Sequence, residues 1–251
     1  MKTLLTIGTS HVESGHDFLD IRNHMQADPV DARVYQPADL FFKTWPGYLQ
    51  TQLKDTRVVN LGVSGHGLDY VIPRTYAAID FFKPDTIILE FPSITRFTMA
   101  NHDKPYKPQQ HLIYSLSHIQ TEDKYHHCEE IQKRRCLTAG VVGKQHRGFH
   151  KQWLDQIDEF SYINHLYKFK MLCSYIQSHD IELHTFSFNG DGFDIGEMHT
   201  DFHIDTHVTQ EKLQSVFESN GVWEWSLDGS GHAGWNTERW MVANLFLPVL
   251  R

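Results

Sequence analysis

Short runs rich in apolar and β-branched residues alternate along the chain with longer stretches in which apolar positions recur every three or four residues. The short runs fall at 4–8, 57–61, 86–91, 182–188 and 222–227. Their length and composition suit strands covered on both faces. In 69–82, Val71, Ile72, Tyr76 and Ile79 follow a helical pattern that Lys83-Pro84-Asp85 ends. Between 154 and 179, Leu166, Phe169, Leu172, Cys173 and Ile176 recur at helical spacing, which predicts a long helix with Cys173 in the core. A last helix is expected from Asn236, a good N-cap ahead of Thr237 and Glu238, through Trp240, Ala243 and Leu247 to Pro248. Strand and helix in alternation predict the α/β class, as a three-layer α/β/α sandwich around a central parallel five-stranded sheet.

Residues 101–151 break this rhythm with histidine-rich polar stretches, Pro105 and Pro108. They read as an insertion after a strand's carboxyl end, beside the crevice where open α/β sheets bind ligands. A lid, a specificity wall and a plain surface elaboration all fit. The 251 residues show no other composition break, so one domain is expected over 1–251.

The net charge of −8 sets a general repulsion against phosphate backbones, and no nucleic-acid partner is expected. The run Lys133-Arg134-Arg135 is too short to change that. No stretch has the length or apolarity of a membrane span or a secretory signal, which predicts a cytoplasmic protein, with association with a virus particle as the other expectation. Three cysteines without a tight pair fit a reduced compartment.

The candidate chemistry sits where strand patterns stop. Ser10 follows the first strand in Ile7-Gly8-Thr9-Ser10-His11, and a histidine closes the turn Asp228-Gly229-Ser230-Gly231-His232 just ahead of the last helix. A hydroxyl presented at a strand end and activated by an imidazole is the minimal machinery for ester cleavage. Ser64 is a poorer nucleophile candidate, because Gly62-Val63-Ser64-Gly65-His66 has histidine where a nucleophile elbow needs glycine. No phosphate-binding loop or dinucleotide fingerprint follows the first strand, so no cofactor is expected. His199, His203 and His207 would align on a helix, but Gly190, Gly192 and Gly196 predict a solvated loop there, and no metal is expected.

Taken in order, these segments resemble the SGNH hydrolases, the superfamily of the GDSL esterases and lipases, and among them SGNH-like proteins of bacteriophages. Gly8-Thr9-Ser10 stands where the family has Gly-Asp-Ser, and Asn60-Leu61-Gly62-Val63-Ser64-Gly65 looks like its second block. The third block departs: Phe91-Pro92-Ser93-Ile94-Thr95-Arg96 puts Ile94 where the family carries an oxyanion-binding asparagine. In the last block Asp228 stands four positions before His232 rather than three.

The resemblance implies the flavodoxin-like SGNH hydrolase fold and a serine hydrolase acting on an ester, with a carbohydrate O-acetyl ester as the leading substrate class. Ser10 is then the nucleophile, His232 the base and Asp228 its orienting carboxylate. The amides of Ser10 and Gly65 form the oxyanion hole, and Ser93 and Arg96 contact a small-molecule or glycan ester. The missing asparagine leaves a second expectation, a glycan-binding or particle-associated protein that keeps the sandwich with weakened turnover. The oligomeric state is left open.

Overall fold

The computed structural model describes residues 1–9, 12, 41–62, 67–92, 96–100, 111–115, 159–188, 204–209, 211–227 and 232–251, with backbone only at 70, 96–100, 111–115 and 159–162. Ordered along the chain, the elements are β1 (Lys2–Gly8), α1 (Trp45–Gln52), β2 (Thr56–Gly62), α2 (Leu68–Phe82), β3 (Thr86–Glu90), β4 (Arg96–Ala100), β5 (His111–Ser115), α3 (Glu159–Gln177), β6 (Glu182–Phe186), α4 (Leu213–Ser219), α5 (Trp235–Met241) and α6 (Leu247–Leu250). A π-helical segment, Val242–Phe246, joins the last two.

The main sheet has the order β2-β1-β3-β6, and every neighbouring pair is parallel. Alternation along each strand builds two cores. Leu5, Ile7, Val59, Leu61, Ile87 and Leu89 pack with Val71 and Ile79 of α2 and Leu166, Phe169 and Ile176 of α3 on one face. Leu4, Val58, Ile88 and Phe186 pack with Trp45 and Leu49 of α1, Phe217 of α4 and Met241, Val242 and Phe246 on the other. Three layers result, as a sheet buried on both faces demands.

The apolar positions expected on α3, Cys173 among them, are all buried. Burial pushes the Cys173 thiol up to about 12, as a low-polarity surround does to any group that must charge on losing a proton. Element α1 has no counterpart in the sequence-based expectation. Thr44 caps it, accepting from the Gly47 amide at 3.2 Å, and Trp45 is fully buried, its ring 5.0 Å from that of Phe246.

Two expectations are corrected. The sheet has four strands among the described residues, and 222–227 is not the fifth. The free edge of β6 is already occupied: Thr185 donates its amide to the Thr206 carbonyl at 2.7 Å and accepts from the Val208 amide at 2.9 Å, so the segment around His207 satisfies that backbone. Trp225 instead makes one antiparallel bridge with Ala233. The last helix begins at Trp235 with Gly234 in the capping position, and the Asn236 side chain donates to Glu224 Oε2 at 2.9 Å rather than capping.

Strands β4 and β5 form a separate antiparallel pair, Arg96 opposite Ser115 and Ala100 opposite His111, with β4 beside α2. β5 is the part of 101–151 that falls among the described residues.

Candidate active site

From β1 the chain crosses to β2 at one edge of the sheet and then returns past β1 to β3 on its other side, so the connections diverge between β1 and β3. The connection after β1 carries α1 on one face, and the connection after β2 carries α2 on the opposite face. The crevice at the carboxyl ends of β1 and β3 is therefore the place where this topology leaves room for a ligand. The registers Gly8 with Gly62, Ile7 with Leu89 and Glu90 with Phe186 align all four strand ends along this rim.

At that crevice the chain makes a buried polar contact. The Thr9 amide donates to Glu90 Oε2 at 2.5 Å, and the Thr9 hydroxyl lies 2.7 Å from Oε1 and 2.8 Å from Oε2. Thr9 thus engages both oxygens of the Glu90 carboxyl group. Glu90 is 2% exposed and Thr9 fully buried. Gly8 makes the contact possible: a Cβ there would stand 2.5 Å from Glu90 Cβ and 2.6 Å from Oε2. The turn continues with Val12 donating its amide to the Thr9 carbonyl at 3.1 Å.

The neighbouring strand ends are also pinned by side chains. Asn60 Oδ1 accepts from the Gly62 amide at 2.9 Å, tightening the exit from β2. After β3, the Phe91 amide donates to the Phe186 carbonyl at 2.7 Å, and His165 of α3 reaches the Pro92 carbonyl at 3.0 Å. His165 thereby tethers the chain just ahead of Ser93 and Arg96.

His232 lies buried on the approach to α5. Its carbonyl accepts from the Ser226 amide at 3.0 Å, and two residues on Gly234 donates to the Glu224 carbonyl at 2.8 Å. The Thr237 hydroxyl locks the same segment, donating to the Val222 carbonyl at 2.6 Å and accepting from the Glu224 amide at 2.8 Å. Ala233 is buried in the same cluster as Leu4 and Val12.

Of the sequence-predicted site residues, His232 is described in full and Arg96 by its backbone at the start of β4. Ser10, Gly65, Ser93 and Asp228 lie outside the described residues, as do Ser64, His199 and His203. His207 is half-buried rather than solvated, its Nδ1 against the Thr185 hydroxyl, which also meets the Thr206 hydroxyl at 2.9 Å. Among the described residues no helix is long and apolar enough to cross a membrane. Sequence reasoning missed Glu90, although a glutamate closing the run Thr86-Ile87-Ile88-Leu89 is the one charged position in a strand buried throughout.

No family model matches the chain, and neither does any curated protein. Among solved structures it is similar to a lipase/acylhydrolase from Enterococcus faecalis, at 11% identity over 100% of this chain and 95% of that one, with a TM-score of 0.38. It is also similar to a member of the lipolytic protein G-D-S-L family from Veillonella parvula DSM 2008, at 10% identity over 98% and 99% of the two chains, with a TM-score of 0.36. At these values neither the family nor the chemistry of those proteins transfers to this chain.

Proposed function

We propose that the chain is a serine hydrolase of esters, folded as one catalytic domain, with its active site at the carboxyl rim between β1 and β3. One observation carries this. Val12, two residues past Ser10, and Ala233, one past His232, are buried in a single core cluster on the same face of the sheet. Both residues thus pack on one face of the sheet, which a serine–histidine pair drawn from the two ends of the chain requires.

In this mechanism Ser10 Oγ attacks the ester carbonyl while His232 takes its proton, then returns it to the departing alcohol. Asp228 orients the imidazole. The backbone amides of Ser10 and Gly65 stabilise the negative oxygen of the tetrahedral intermediate, and water completes the cycle by attacking the acyl-enzyme. Ser93 and Arg96 contact the substrate, the guanidinium suiting an anionic or polyhydroxylated group. An O-acetylated carbohydrate is the substrate class that the motif resemblance favours.

The test is turnover of p-nitrophenyl acetate and of acetylated sugars by the wild type and by Ser10→Ala. Hydrolysis by the wild type, lost in the variant with the melting temperature retained, is expected. Equal turnover by both would remove Ser10 as nucleophile. Absence of turnover by the wild type, together with retention on an acetylated glycan column, would favour the binding protein instead.

A further inference from the structure

Ester cleavage by Ser10, His232 and Asp228 assigns no part to Glu90, yet its carboxylate occupies the switch point and binds the residue immediately before Ser10. Burying a carboxylate costs several kcal/mol unless donors meet it. Thr9 supplies two of them, its amide at 2.5 Å and its hydroxyl at 2.7 Å. The amide bond fixes the Gly8–Thr9 peptide plane and the hydroxyl bond fixes the Thr9 side chain. The third contact, from the Val12 amide to the Thr9 carbonyl at 3.1 Å, sets the plane that leads on to position 10. Three bonds therefore hold Thr9, the residue before Ser10 in sequence, and two of them end on one glutamate of a neighbouring strand.

We infer that Glu90 is a positioning residue for the nucleophile: by clamping Thr9 it aligns both the Ser10 hydroxyl and the Ser10 amide. The inference rests on the hydrolase reading. Glu90 acts through Thr9 and needs no contact with substrate. Since the aligned groups act on the carbonyl as it becomes tetrahedral, loosening them lowers kcat and leaves KM in place.

The experiment compares Glu90→Met, Thr9→Val and Thr9→Ser with the wild type, using p-nitrophenyl acetate and normalising each rate to active sites titrated to completion with a fluorophosphonate. Methionine keeps the length of the side chain but offers no oxygen to either Thr9 donor, whereas glutamine would still accept from the Thr9 amide and donate to its hydroxyl. The kcat of Glu90→Met per titrated site is expected to fall about 10²-fold, the cost typical of a misplaced reacting group, with KM unchanged. Thr9→Val, which keeps only the amide contact, should fall less, and should add little in the Glu90→Met background because the contact it breaks is already gone. Thr9→Ser, with both donors present, should retain most of the wild-type kcat. A merely structural glutamate would give a lower melting temperature and fewer titratable sites at wild-type kcat per site, and that result overturns the inference. A wild type that neither turns over nor labels removes the hydrolase reading and the positioning role together, whereas an active wild type with a fully active Glu90→Met removes the positioning role alone.

Discussion

A methyl group added at position 8 would stand 2.5 Å from both Glu90 Cβ and Val12 Cγ2, closer than packed carbon atoms approach. Gly8→Ala must therefore displace the end of β1, the Glu90 side chain or the Val12 turn. We expect a loss of about 1–3 kcal/mol of unfolding free energy in urea, together with lower turnover than that loss accounts for. Cys173 makes the opposite case, a reactive group disabled by its surroundings. Its thiol is pushed from 9.0 up to about 12 by burial, so it stays protonated in the folded protein at mildly alkaline pH. Alkylation followed by peptide mapping should spare Cys173 in the native state and modify it after denaturation. Above pH 9 the unfolded chain releases this proton while the folded one holds it until near 12, so the unfolded state gains and stability falls as pH rises through that window. The core role of Cys173 was legible from helical spacing alone, whereas the Gly8–Glu90 contact joins residues far apart in sequence and leaves no periodic trace.

Among the elements, β1, β2, β3, β6, α2 and α3 were legible because each satisfies its backbone internally or against an apolar neighbour of the same kind. Helix α1 was not. Its eight residues contain Pro46 and Gly47, residue types that favour turns, and its place is secured by tertiary contacts of Trp45 with Phe246 and Phe186 at 5.0 and 6.4 Å between ring centroids. Trp45→Ala should accordingly destabilise the protein by about 3–5 kcal/mol in chemical denaturation, the range for truncating a buried aromatic side chain. A change within about 0.5 kcal/mol, typical of surface positions, would mean that α1 is not anchored this way. The segment 222–227 misleads for the converse reason. Val222, Glu224 and Ser226 alternate with Trp223, Trp225 and Leu227 in strand fashion, but the edge of β6 is already bonded to Thr206 and Val208. Trp223 stacks on Phe217 and meets Trp225 edge-on at 4.9 Å between centroids, an aromatic cluster rather than a sheet ladder.

For the whole molecule the decisive feature is the strand order β2-β1-β3-β6, which opens a crevice beside β1, while Val12 and Ala233 share the core on one face of the sheet. Alternation of strand and helix foretold the layers; it could not foretell that Val12 and Ala233 share a cluster, since no local pattern links positions so distant. The motif resemblance supplied the pair Ser10 and His232, on which the proposed hydrolysis rests. The most direct test is fluorophosphonate labelling at neutral pH, with the modified peptide located by mass spectrometry, in the wild type and in His232→Ala. A single adduct on Ser10 is expected in the wild type, formed at least ~10²-fold more slowly in the variant. An adduct on another serine, or labelling of Ser10 at the same rate without His232, would contradict this pairing.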